Sequence, residues 1–119
     1  MIFHIAVCSP DSVLRSRVER QCLDYYARRA DACIIEQLDS PEALEARDDA
    51  GERYELYLIE LPSTAAAASL RAAAALRSRG RRSPLAFLAH TPAHAYSAYR
   101  VDAMYFLLLP VPPEQQDAL

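Results

Sequence analysis

Five apolar runs of strand length, each followed by a helical pattern, constrain this chain more than any other feature. They are Ile2–Cys8, Ala32–Leu38, Tyr54–Glu60, Pro84–Ala89 and Met104–Leu108. Short continuous apolar runs, as opposed to strict alternation, fit strands buried on both faces. Strands that take turns with helices imply βαβ crossovers and a parallel sheet covered on both sides. The second run is less uniform and fits an edge.

The helices announce themselves by their starts. Ser9-Pro10-Asp11 offers a cap, a proline for the first turn and an acid for the positive dipole end, and a helix is expected from there to Arg29. Ser40-Pro41-Glu42 repeats that chemistry for a short helix ending by Gly51. Ser63 or Thr64 is expected to cap an alanine-rich helix running to Gly80. Thr91-Pro92 opens a fourth helix and Pro112-Pro113-Glu114 a fifth. The order suggests a flavodoxin-like doubly wound fold of five parallel strands, ordered 2-1-3-4-5, in one domain spanning 1–119. About two turns of the last helix are present, so that helix is expected to be truncated.

Composition excludes several classes. The 119 residues are 52% hydrophobic and 24% charged, with net charge -3, an ordinary globular balance with no electrostatic case for nucleic acid. All 13 basic residues are arginine. Arg77, Arg79, Arg81 and Arg82 read as cations complementing a helix C-terminus and solvating a loop, in preference to a nucleic-acid patch. No targeting peptide or membrane-length apolar run is visible, so a cytoplasmic protein is expected. Two glycines cannot build a phosphate-binding glycine loop. Cys8, Cys22 and Cys33 form no CxxC pair and read as buried free thiols. His4, His90 and His94 make no metal set.

Three segments resemble response-regulator receiver domains of the LytTR-regulator subtype. Ile5-Ala6-Val7-Cys8 before a helix start looks like that family's first strand. Tyr54-Glu-Leu-Tyr-Leu-Ile-Glu60 is similar to its third, usually Tyr-Asp-Leu-Ile-Phe-Leu-Asp. Ala95 to Val111, with Tyr105-Phe-Leu-Leu-Leu-Pro110, resembles its Ala-x-Asp-Tyr-Leu-Leu-Lys-Pro end, and is the most specific of the three.

The resemblance implies five chemical positions, and most are altered. The acid pair that would hold Mg²⁺ falls on Ser9 and Pro10, with Asp11 one step further. The phosphoacceptor aspartate falls on Glu60, the phosphoryl-binding hydroxyl on Ala89 (Thr91 is close by), and the lysine on Leu109. The aromatic that reports switching remains as Phe106. Glu60 reads either as a strand-end acid reaching solvent or a helix N-terminus, or as a fixed charge where a phosphoryl would sit. A degenerate receiver is therefore expected: no enzyme, metal or cofactor, acting through protein contacts.

The resemblance also implies a homodimer through the face of helix 4, strand 5 and helix 5. Tyr96, Tyr99 and Arg100 are candidates there, although Tyr99 and Tyr96 could instead pack on the sheet. DNA would be bound only by a separate C-terminal domain. The alternative is a small ligand-binding or enzymatic domain using Ser9, Glu60, His90 and Thr91 in the crevice at the strand ends, and a further one is a purely structural dimerisation module. Cys8, at a strand end without an evident base, is expected to be core.

Overall fold

The computed structural model describes residues 2–108. Its elements are β1 (Ile2–Cys8), α1 (Ser12–Ala27), β2 (Ala32–Leu38), α2 (Pro41–Asp49), β3 (Leu56–Leu61), α3 (Ala66–Ser78), β4 (Leu85–Ala89), a 3-10 turn at Pro92–His94, α4 (Ala95–Arg100) and β5 (Tyr105–Leu108). β1 lies between β2 and β3, β4 follows β3, and β5 pairs with β4; every pairing is parallel. The parallel α/β sheet anticipated from the apolar runs is present. Leu109, and the helix expected from Pro112, lie outside the described residues.

Strand periodicity sorts the core into two layers. Tyr57, Ile59 and Leu61 of β3, with Leu85 and Phe87 of β4, meet Leu44 of α2 and Ala66, Ala73 and Leu76 of α3. The intervening residues face the other way. Ile5 and Val7, with Leu88, pack under Leu14 and Val18 of α1, and Leu56 and Leu58 border that cluster. α3 buries Ala66, Ser69, Ala72 and Ala73, small side chains that let its backbone approach the sheet closely.

Some local expectations need correction. Ser9 does not cap α1; Asp11 does, its carboxylate accepting from the Val13 and Leu14 amides. Pro10 accordingly precedes the helix. α1 stops at Ala27, short of Arg29, and the chain turns at Ala30, which has φ +57°. Neither Ser63 nor Thr64 caps α3, whose N-cap is Ala65 with no side-chain bond. β3 starts at Leu56, after Tyr54, whose carbonyl accepts from the Ser83 hydroxyl at 2.6 Å and not from a neighbouring strand, while its own hydroxyl donates to Glu36 on β2 at 2.5 Å. Ser40, by contrast, caps α2 as expected. Gly51 and Gly80 follow α2 and α3 at φ +94° and +86°, the left-handed turn in which glycine carries no Cβ penalty.

The arginines at the end of α3 are structural. Asp48 of α2 is buried, and Arg81 Nε donates to it at 2.7 Å, Arg79 at 3.2 Å and Arg53 at 3.4 Å. Arg77 donates to four backbone carbonyls, of Arg81, Ser83, Val101 and Asp102, tying the end of α3 to the turn before β5. This accounts for three of the four clustered arginines without nucleic acid; Arg82 is exposed.

Candidate functional site at the strand C-terminal ends

Parallel strands deliver their last residues to one rim of the sheet, where crevices form between loops on opposite faces. Here that rim gathers Ser9, Glu60 and His90. Ser9 continues β1: its amide donates to Leu38 of β2 at 2.9 Å, and its carbonyl accepts from Arg15 at 2.6 Å. Its hydroxyl accepts from the Asp11 amide and donates to Glu60 Oε1. Glu60 uses its other oxygen, Oε2, on His90 Nε2 at 2.6 Å. Ser9 is 1% and Glu60 5% exposed, while the His90 side chain is 45% exposed.

This constellation fixes a carboxylate. It does not make a nucleophile. In a Ser–His–acid triad the imidazole lies between hydroxyl and acid and takes the proton from the hydroxyl. Here the carboxylate lies between, and the Ser9 oxygen is sealed from solvent. Cys8 is no better placed. Burial first, then the Asp39 and Glu42 carboxylates, pushes its thiol up to about 12, so thiolate is scarce at neutral pH. The expectation that Cys8 is core agrees with its burial.

The other anticipated positions separate. Pro10 and Asp11 are exposed. Ala89 is buried in the core with no hydroxyl to offer. Thr91 caps the 3-10 turn, accepting from the Ala93 amide at 3.3 Å. Phe106 is half-buried against the α2–α3 side of the core. Tyr96 and Tyr99 are 74% and 81% exposed, which corrects the alternative that they pack on the sheet. Arg100 is exposed beside them.

A hard cation such as Mg²⁺ takes oxygen ligands in a near-octahedral set. The residues at this rim do not fit it. Pro10 has no donor, the Ser9 hydroxyl and both Glu60 oxygens are committed, and Asp11 is engaged with its helix. No group of three or more metal-binding side chains occurs among the described residues.

The sequence places His90 with Ser9, Glu60 and Thr91 at the strand-end crevice but does not indicate its direct pairing with Glu60. A signal existed. In the β3–β4 register Glu60 stands opposite Leu88, and His90 lies two residues on, on the same face. His90 also lines a cleft of about 140 Å³ with Leu61, Ser63, Ala89, Thr91 and His94, among others.

No family model matches the sequence, and no curated protein matches it. Its structural neighbours are response-regulator receiver domains of the CheY-like type. The response regulator TrrA from Thermotoga maritima, solved in complex with Mg²⁺-BeF, gives a TM-score of 0.72 at 12% identity over 98% of this chain and 95% of that one. Chemotaxis protein CheY4 of Vibrio cholerae gives 0.73 at 14% over 99% and 95%. A signal receiver domain from Clostridium thermocellum gives 0.71 at 11% over 98% and 92%. The chain therefore has the receiver-domain fold of two-component response regulators. No helix among the described residues is long and apolar enough to cross a membrane.

Proposed function

We propose that this chain is a degenerate receiver domain that signals through protein contacts and does not use Mg²⁺-dependent aspartyl phosphorylation. The observation that carries the reading is Glu60: it stands at the end of β3 with both carboxylate oxygens bonded to its own neighbours, Ser9 and His90. A phosphoacceptor needs a free oxygen, a metal to offset the incoming charge and a cation to hold the product. Among the described residues, the rim leaves neither Glu60 oxygen free and sets no carboxylate pair beside it for a metal.

On this reading the complete sheet has the five-stranded order 2-1-3-4-5. The domain is the cytoplasmic regulatory part of a LytTR-type transcription regulator whose separate C-terminal domain binds DNA. Its contact surface includes the face of α4 and β5, where Tyr96, Tyr99 and Arg100 of α4 stand exposed. The fold and this exposed aromatic surface support that assignment. For the ligand-binding alternative, the cleft that His90 and Thr91 line measures about 140 Å³ among the described residues, below the roughly 300–1,000 Å³ usual for small-molecule pockets.

The test is incubation with acetyl phosphate and Mg²⁺ followed by intact-mass measurement. An unchanged mass is expected. A phosphoryl adduct that disappears in Glu60→Ala overturns the reading.

A further inference from the structure

Cys22 and Cys33 are eleven residues apart on different elements, α1 and β2, yet the fold brings Cys33 Sγ to 3.9 Å from the Cys22 carbonyl oxygen. Both side chains are half-buried and border the same apolar cluster under α1. The third cysteine cannot compete, because Cys8 faces the opposite core layer at 2% exposure. Geometry alone therefore singles out one pair of three.

We propose that Cys22 and Cys33 are a modification site: a peroxide-class oxidant closes them into a reversible disulfide that staples the C-terminal part of α1 to the edge strand β2. In the first step one thiol gives up its proton, the thiolate attacks the peroxide and the O–O bond breaks; a sulfenic acid and hydroxide form, and the hydroxide takes up the released proton as the first water. The second thiol then attacks that sulfur, the S–O bond breaks, and the second water leaves. Two thiols lose two protons and two electrons in all, and one hydrogen peroxide becomes two waters.

A disulfide needs Cα atoms within about 4.4–6.8 Å, and the end of α1 is the part able to adjust. The fully buried anchors of that helix are Leu14 and Val18, both N-terminal to Cys22. The bond would close a short loop across the α1–β2 turn. Cys22 also lines an apolar groove of about 400 Å³ with Val18, Tyr25, Tyr26, Leu58 and Leu88, so the staple would reset one wall of that groove.

The chemistry sets the tempo. Burial first, then the neighbouring Cys33, pushes Cys22 up to about 11, and burial raises Cys33 too. Thiolate is the reacting form, so closure is slow at pH 7 and accelerates roughly tenfold per pH unit through pH 9.

The experiment treats the folded protein with hydrogen peroxide at pH 7 and pH 9, blocks free thiols and maps tryptic peptides without reduction. The expected product is a loss of two hydrogens in intact mass, with Gln21–Arg28 joined to Ala30–Arg47. The link should be undone by dithiothreitol and survive in Cys8→Ser. Cys22→Ser and Cys33→Ser should each stop at sulfenic or higher acids. No two-hydrogen loss at either pH, a link through Cys8, or a link between two molecules overturns the proposal. The wild-type map decides this even where a variant fails to fold.

Discussion

Glu60 and His90 meet across the ends of two adjacent parallel strands, His90 Nε2 lying 2.6 Å from Glu60 Oε2, and the contact joins β3 to the segment that leads into α4. Ser9 holds the other Glu60 oxygen, so the carboxylate links the ends of β1, β3 and β4. Among the described residues no buried side-chain nitrogen or oxygen lacks a partner.

Removing this carboxylate should therefore cost stability through what it leaves behind. In Glu60→Ala the buried Ser9 hydroxyl keeps only the long 3.5 Å contact to the Asp11 carbonyl, and a buried polar group left so poorly paired costs about 1–3 kcal/mol. Glu60→Gln keeps an acceptor and should lose less. His90 is half-exposed and can turn to water, so His90→Ala should be the mildest. In a double-mutant cycle read by urea unfolding, His90→Ala should cost almost nothing more once Glu60 is alanine. Additive losses would show that the contact carries no coupling.

Restoring the acceptor alone should not restore chemistry. Glu60→Asp supplies the residue type that receivers use, yet Ser9 and Pro10 still provide no carboxylate pair for a metal. Its intact mass after acetyl phosphate and Mg²⁺ should match the untreated protein. A stable phosphoryl adduct on Glu60→Asp would mean that side-chain length, and not metal binding, is the block.

Much of the fold was legible because the determinants are local. β1 and β2 have the bounds their apolar runs indicate, and α2 has its Ser40 cap. The misplaced cap at Ser9 and the late start of β3 both trace to contacts distant in sequence. Ser9 has the right chemistry for a cap, but its hydroxyl is taken by Glu60, 51 residues away. Tyr54 reads as strand, but its carbonyl is taken by the Ser83 hydroxyl, 29 residues away. The site was half legible for the same reason. Ser9, Glu60 and Ala89 could be placed at the strand ends from sequence, whereas the partnership of Glu60 with His90 depends on register. The approach of Cys22 to Cys33 likewise depends on how α1 lies on the sheet.

The aromatic surface of α4 should behave as an interface and not as core. Tyr96 and Tyr99 are mostly exposed, and substitution at such positions usually shifts stability by no more than about 0.5 kcal/mol. Tyr96→Ala and Tyr99→Ala should thus keep the unfolding midpoint while weakening self-association in sedimentation velocity. A monomeric wild type at all accessible concentrations would remove the homodimer from the proposal.

Asp48 should make the domain acid-sensitive. Burial alone would raise its carboxyl, but hydrogen bonds from Arg81 and Arg79 outweigh that and hold it below the usual carboxylate range. The folded state thus binds the Asp48 proton less readily than the unfolded chain. The stability this group contributes is complete above the ordinary carboxylate range, near pH 4, and is lost as pH falls through the lowered folded value. Charge-assisted hydrogen bonds contribute roughly 1.5–3 kcal/mol, and the Asp48 side chain is only 3% exposed. Part of the loss is recovered because the three arginines are 24–50% exposed and can be rehydrated. Asp48→Asn should therefore lose about 2 kcal/mol at pH 7. It should also flatten the acid limb of a stability–pH curve measured by urea unfolding between pH 2 and 7, so that mutant and wild type converge at the acid end. Parallel curves at all pH values would show that the Asp48 charge is not what the arginines hold.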